Sequence, residues 1–184
     1  MIFTELPLAG AYTIELARVE DDRGFFARTY DAEAFAARGL PAEMPECSVS
    51  FNVCKGTLRG MHFQAAPHGE EKLVRCTSGA IFDVIVDLRP DSPTQRRWFG
   101  IELTADNRRS VFMPKGFAHG FVTLRDDTEV YYMISVPYAP GHERGVRWND
   151  PALAIHWPIE PVILSARDAG FPLLDAVPHG SSRR

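Results

Sequence analysis

GTLRGMHFQ, residues 56–64, is a short segment that predicts a β-strand and carries His62 between an arginine and a glutamine. Further segments of similar length follow it, rich in Val, Ile, Phe, Tyr and Leu and separated by Gly, Pro, Asp and Asn. Many short strands with turn signals between them favour a β-sandwich or barrel. The sequence therefore predicts an all-β fold with strands over residues 57–64, 72–77, 80–88, 97–103, 110–113, 116–124 and 129–136.

The two ends of the chain differ from this strand-rich middle. Asp31 is a helix-capping residue type and Gly39 lies where a helix end favours positive φ, so a short N-terminal helix is predicted over residues 32–38. Residues 151–175 predict an irregular wrap with a short helical part. Since no repeat or interior linker is visible, residues 1–177 are expected to form one domain, and residues 178–184 a disordered tail.

Composition and charge exclude several classes of function. The 184 residues carry a formal net charge of −4, which provides no broad positive field for nucleic acid. An anionic substrate must therefore be held by a local cluster of Arg and Lys. No apolar run approaches the ~18 residues of a membrane span, and the first residues lack the pattern of a secretory signal. We expect a cytoplasmic protein with neither nucleic-acid nor membrane partners.

The cysteines agree with that location. Cys47, Cys54 and Cys76 form neither an even disulfide set nor a Cys-x-x-Cys pair. Reduced structural thiols are typical of cytosolic proteins.

Two segments resemble the motifs of the cupin superfamily, a jelly-roll group. The first is residues 56–64 with Glu70 and Glu71 following, and the second is PKGFAH, residues 114–119. Metal-binding cupins supply a His-x-His pair and an acid from the first motif and a histidine from the second. Here Gln64 replaces the second histidine of the pair, and a divalent transition metal prefers imidazole to a neutral amide. The resemblance implies a cupin-type jelly roll, for which we expect no metal and no other cofactor.

Seven blocks in order make the resemblance more specific and span nearly the whole chain. They are similar to the dTDP-4-dehydrorhamnose 3,5-epimerase family and comprise DRGFF (22–26), residues 56–64, EKLVRC (71–76), DVIVDLR (83–89), residues 114–121, RWNDP (147–151) and LSARD (164–168).

The resemblance implies inversion of C3 and C5 in a nucleotide-linked 4-keto-6-deoxyhexose. Such an inversion needs a base on one face, a proton donor on the other and a group that stabilises the enolate. By similarity His62 is the base, oriented by Asp168; Tyr132 is the acid, and Lys72 lies beside the enolate oxygen. A histidine titrates near neutral pH, and a tyrosine remains protonated there, so these residue types suit their roles.

The resemblance also implies the residues that hold the substrate. Guanidinium groups match phosphate oxygens, and His119 is expected to contact phosphate or sugar rather than a metal. Arg23 and Phe26 are expected to serve the neighbouring subunit of a homodimer. The expected substrate-binding set is Arg23, Phe26, Arg28, Asn52, Arg59, Gln64, His119, Tyr138, Glu143 and Arg167.

Three positions depart from the family pattern. Arg28 stands where the family usually carries an acid, Glu46-Cys47 where it has a glutamine, and Met133 where a lysine often follows the acid tyrosine. The first two lie near residues that hold the nucleotide, so the hypothesis is that the chemistry is kept while nucleotide selection differs.

Several alternatives stay open at the level of sequence. Tyr131 competes with Tyr132 as proton donor, and Asp168 could simply cap a helix. The same machinery could invert only C3 or only C5. A metal-dependent cupin and a catalytically silent sugar-nucleotide binder are the rival classes.

Overall fold

The computed structural model describes residues 1–176, which form two facing antiparallel sheets and one small hairpin. The strands are β1 (Ile2–Glu5), β2 (Tyr12–Glu15), β3 (Arg18–Asp21), β4 (Gly24–Ala27), β5 (Glu46–Asn52), β6 (Leu58–Gln64), β7 (Lys72–Ser78), β8 (Ala80–Asp87), β9 (Trp98–Thr104), β10 (Ser110–Met113), β11 (Phe117–Thr123), β12 (Thr128–Ile134) and β13 (Glu143–Gly145). The helices are α1 (Ala32–Ala36), α2 (Ala166–Ala169) and a 3-10 turn at Leu174–Ala176.

Strand order identifies the architecture. One sheet has six strands in the order β1-β2-β10-β7-β12-β5, and the other has five in the order β13-β6-β11-β8-β9. Neighbours in each sheet are often distant in sequence, as when β10 pairs with both β2 and β7. This two-sheet arrangement is the predicted jelly roll, and the all-β class is confirmed.

The main core lies between the sheets and follows from side-chain alternation along the strands. Val74 and Val130 of the six-stranded sheet pack with Ile85 and Phe121 of the five-stranded sheet, all essentially buried. The same alternation places Tyr132, two residues after Val130, on the inner face and Tyr131 on the outer face. The inner faces therefore form both the core and, towards one end, the site.

Each outer face is partly covered by one end of the chain. The N-terminal residues and α1 pack on the six-stranded sheet around Phe35 and Phe112. The C-terminal segment packs on the five-stranded sheet, where Leu153 and Leu174 cover Met61 and Val84. This second covering brings α2 alongside β6.

The seven predicted strands are present, with ends shifted by at most two residues. The predicted N-terminal helix begins after Asp31 as expected, but it ends at Ala36 because Ala37 is already the C-cap. The short C-terminal helix is α2. The predicted tail, residues 178–184, lies outside the described residues. Neither of the described helices is long and apolar enough to cross a membrane.

Candidate active site

β6 and β11 place two histidines side by side on the inner face of the five-stranded sheet. His62 is directly opposite His119 in the antiparallel register. The two strands approach closely at Gly60, which has φ +138° and where a Cβ atom would lie 2.5 Å from the Gly120 Cα. Any larger residue at either glycine would push the strands apart, so this pair of glycines sets the spacing around His62.

His62 forms a hydrogen-bonded pair with Asp168 from α2. The His62 Nε2 atom lies 2.8 Å from Asp168 Oδ1, and the other carboxylate oxygen accepts from the Gly60 backbone N–H at 3.2 Å. Burial alone would raise the pKa of Asp168, but the hydrogen bonds and charge of His62, with the Gly60 N–H, hold it below its usual value. Asp168 is therefore ionised, while the His62 side chain keeps 33% of its surface exposed.

Asp168 is not the capping residue of its helix. Ser165 caps α2, and its hydroxyl accepts from the Asp168 backbone N–H at 3.0 Å. The Asp168 side chain is consequently free to turn towards β6. The alternative that Asp168 serves only to cap its helix is therefore wrong, because Ser165 is the cap.

Tyr132 lies on the inner face of the opposite sheet and packs against the central core. Its hydroxyl is 3.3 Å from Ser50 Oγ, and its ring meets the His119 ring edge-on at 6.1 Å. Burial raises the pKa of Tyr132 above its usual value near 10, so the phenol keeps its proton at neutral pH. Tyr131 lies on the other side of the same sheet, away from His62.

Lys72 starts β7 on the inner face, diagonal to Tyr132 across the strand pair. Tyr132 is opposite Val74 and Ile134 is opposite Lys72, so Lys72 and Tyr132 are separated by about 7–8 Å at their backbones. The Lys72 ammonium pairs with Glu70 at 2.7 Å. The structure thus places His62 and Tyr132 on the inner faces of the two sheets, with Asp168 beside His62 and Lys72 on the same face as Tyr132.

His119 belongs to a second histidine–carboxylate pair that the sequence did not reveal. Its Nε2 atom is 2.7 Å from Asp83 Oδ2, and both side chains are almost fully buried. Asp83 Oδ1 has no hydrogen-bond partner among residues 1–176. No spacing rule links position 83 to position 119; only the register of β8 with β11 makes them neighbours.

The mouth of the site is a cavity of about 420 Å³. Arg59, His62, Arg167 and Asp168 line it together with residues 163–165. Arg59 Nε donates to Asn52 Oδ1 at 2.7 Å, so the expected contact residue Asn52 orients the guanidinium. A larger surface groove of about 720 Å³ runs along residues 148–161 and contains none of the predicted site residues.

Tyr138 and Glu143 form the rim on the side of β13. The Tyr138 hydroxyl donates to Glu143 Oε1 at 2.8 Å, and the Gly141 N–H donates to the other oxygen at 2.7 Å. The Tyr138 backbone N–H is 3.2 Å from both oxygens of Glu46. Glu46, one of the departures from the family pattern, therefore holds the loop that carries Tyr138.

Arg23, Phe26 and Arg28 are not brought to the His62 site by their own chain. The first two lie on the β3–β4 hairpin, where Arg23 pairs with Asp21 at 2.5 Å and Phe26 is 74% exposed. Arg28 pairs with Asp31 at 2.5 Å and so supports the N-cap of α1. In residues 1–176, no group of three or more His, Cys, Asp or Glu side chains is arranged to hold a metal ion.

Comparisons with known proteins identify relatives of the chain in both sequence and fold. A family model described as dTDP-4-dehydrorhamnose 3,5-epimerase matches residues 5–176. The enzyme of that name from Sinorhizobium fredii is 39% identical over 97% of this chain and 92% of its own. The crystal structure of the Elizabethkingia anophelis enzyme matches with a TM-score of 0.92 at 36% identity, and the match covers 95% of this chain and 97% of that one. The crystal structure of the Bacillus anthracis enzyme with TDP and PPi bound matches with a TM-score of 0.89 at 44% identity. That match covers 94% of this chain and 98% of the other.

Fold, site and relatives together define an isomerase, a sugar epimerase built on the cupin jelly roll. More narrowly, the chain belongs to the dTDP-4-dehydrorhamnose 3,5-epimerase family.

Proposed function

We propose that this protein converts dTDP-4-dehydro-6-deoxy-D-glucose to dTDP-4-dehydro-L-rhamnose by inverting C3 and C5 in turn. The observation that carries the proposal is the hydrogen bond of His62, on the inner face of one sheet, to Asp168 of α2, with Tyr132 on the inner face of the other sheet. A base and a proton donor on opposite sides of one space are what an inversion beside a ketone requires.

His62 acts as the base. Because Nε2 is engaged with the ionised Asp168, the ring carries its proton on Nε2 and presents the lone pair of Nδ1. That atom removes the proton from the carbon beside the C4 ketone. The Asp168 carboxylate then stabilises the imidazolium, as in other histidine–aspartate pairs.

Tyr132 and Lys72 complete each step. Removal of the proton leaves an enolate, whose oxygen is stabilised by the Lys72 ammonium. Tyr132 then protonates the carbon from the opposite face, and the resulting phenolate accepts a hydrogen bond from Ser50. His62 releases its proton to water and Tyr132 regains one, so each turnover introduces solvent hydrogen at the inverted carbon.

A homodimer completes the substrate site in this proposal. The diphosphate meets Arg59 and Arg167 at the cavity of one protomer, and Arg23 and Phe26 come from the hairpin of the other. The support is that Arg23 and Phe26 project from the hairpin and have no contact with the His62 site of their own chain. A cytoplasmic location is part of the same proposal, since Cys47 and Cys54 are exposed free thiols.

The test is hydrogen exchange during turnover. The protein is incubated with dTDP-4-dehydro-6-deoxy-D-glucose in D₂O, and deuterium at C3 and C5 is followed by NMR. We expect incorporation at both carbons in the wild type and none in His62→Asn. The matched control is His156→Asn, which changes a histidine of the distant surface groove and should leave exchange unchanged.

Other outcomes assign other functions. Exchange at a single carbon would mean a single-site epimerase. Binding of the sugar nucleotide without exchange, unaffected by His62→Asn, would mean a silent binder. Exchange that stops with a chelator and returns with a divalent metal would mean a metal-dependent cupin.

A further inference from the structure

Gln64 occupies the position where metal-binding cupins carry a second histidine, and its amide is committed to the protein itself. It is the last residue of β6 and only 5% exposed. Nε2 donates to Glu70 Oε2 at 3.0 Å, and Oε1 accepts from the Ala139 backbone N–H at 2.8 Å. Reversing the amide would set its NH₂ against an N–H and its oxygen against a carboxylate, so these contacts allow one orientation.

The contact of Gln64 with Glu70 links Gln64 to Lys72. The other oxygen of Glu70 pairs with the Lys72 ammonium at 2.7 Å, and both side chains are only slightly exposed. A lysine side chain is flexible, and its ammonium is a compact charge that must be fixed in place to be useful. The Gln64 amide holds Glu70 from the far side, so Glu70 in turn fixes the ammonium.

The contact of Gln64 with the Ala139 N–H links Gln64 to the rim of the site. Ala139 follows Tyr138, whose hydroxyl is held by Glu143 and whose backbone N–H is held by Glu46. The Gln64 oxygen is therefore the inner attachment of a loop whose outer attachments are two carboxylates. One buried amide connects the loop to the lysine.

We propose that Gln64 is a positioning residue that acts through Glu70 to fix the Lys72 ammonium at the ketone oxygen, while the Ala139 N–H holds the Gln64 amide in the orientation that this requires. The inference rests on the role of Lys72 in the proposed function. It replaces the expectation, drawn from the family resemblance, that Gln64 contacts the substrate.

A double-mutant cycle tests this, since residues that act as a unit are not additive. The variants are Gln64→Leu, Lys72→Met and the pair together, with kcat and KM measured on the sugar nucleotide and the Kd of dTDP measured by calorimetry. We expect Gln64→Leu to lower kcat about 10- to 100-fold, with the Kd of dTDP unchanged. Added to Lys72→Met, it should lower kcat no further.

The matched control is Gln95→Leu, the same change at an exposed glutamine of the turn before β9. It should leave all constants unchanged. If the Gln64 and Lys72 losses multiply, or if Gln64→Leu raises KM with kcat unchanged, Gln64 does not act through Lys72 and the proposal is wrong.

A second variant covers the case in which Gln64→Leu does not fold. Glu70→Gln keeps a side chain that can accept from Gln64 but removes the ion pair with Lys72. Glu70→Gln should lower kcat on its own, and the Glu70→Gln, Lys72→Met double variant should have the same kcat as Lys72→Met. If the two losses in kcat multiply instead, the inference is overturned. The proposed function is tested separately, by exchange at C3 and C5 in the wild type and its loss in His62→Asn, whereas a Lys72→Met variant with normal kcat would remove the basis of this inference.

Discussion

Tyr131 and Tyr132 are adjacent in sequence and point to opposite faces of the same sheet. Tyr132 contacts Ser50 and the core between the sheets, whereas Tyr131 lies on the outer side with Cys47. Removal of one phenol can therefore be compared with removal of its neighbour on the same strand.

We expect Tyr132→Phe to separate exchange from inversion. The proposed base remains, so deuterium still enters at the carbon, but it enters from the face from which the proton was removed. Formation of the inverted product should fall about 10²- to 10⁴-fold, measured by NMR of the sugar in D₂O. Tyr131→Phe is the control and should behave as wild type; full inversion by Tyr132→Phe would exclude it as the donor.

The sequence pointed to candidate site residues more readily than to the residues that contact them. His62 was recognisable because it lies within a motif, and Tyr132 followed from the resemblance. Asp83 and Ser50 were missed and Glu70 was noted only as part of the first motif, because the contacts of all three depend on a strand register or a loop path. Pairing of His62 with Asp168 across 106 positions could not have come from spacing.

The turn that follows β8 is organised by one buried carboxylate. Asp87 accepts from Arg89 Nη2 at 2.7 Å, Ser92 Oγ at 2.5 Å and Thr94 Oγ1 at 2.7 Å. Burial opposes its ionisation, but these donors lower the pKa of Asp87 from 3.8 to about 2. The carboxylate is thus a fixed acceptor for the whole turn.

Asp87 should make stability depend on pH in acid. Because its folded pKa lies below the unfolded value, its contribution is complete above about pH 4 and is lost as pH falls towards 2; it amounts to about 2 kcal/mol. We expect Asp87→Asn to be destabilised at neutral pH and to show a flatter dependence of unfolding free energy between pH 4 and 2, measured by denaturant titration. Asp91→Asn, an exposed acid in the same turn, should keep the wild-type slope.

Elements were predictable where they are long and buried. The seven predicted strands carry the inner core, whereas β1 to β4 have four residues each and all but β2 are largely exposed, so their apolar pattern is weak. β5 was missed for a related reason. Its residues alternate between polar and apolar, but in the reverse sense: Val49 and Phe51 face outwards and are exposed, whereas the polar Ser50 faces Tyr132.

That apolar face on β5 bears on the whole molecule. β5 ends the six-stranded sheet, and exposed large apolar side chains at a sheet edge commonly mark an interface. Phe51 is 53% exposed, and the hairpin adds Val19 and Phe26. We take this surface as the contact between protomers in the proposed dimer.

Phe51→Lys should therefore dissociate the dimer and also impair catalysis, because Arg23 would no longer reach the partner's site. Sedimentation velocity at micromolar concentration should show a shift from dimer to monomer, with a raised KM. Ile2→Lys, at the opposite edge of the same sheet and equally exposed at 53%, should remain dimeric. A wild type that is monomeric at every concentration would refute the interface.

The covering of the five-stranded sheet by the C-terminal segment determines when the site can exist. During translation, His62 leaves the ribosome 106 residues ahead of Asp168. A nascent chain, or a fragment cut before α2, carries an imidazole with no carboxylate to orient it. In the proposed mechanism such a chain cannot orient His62 as a base, so proton transfer requires that synthesis has passed Asp168.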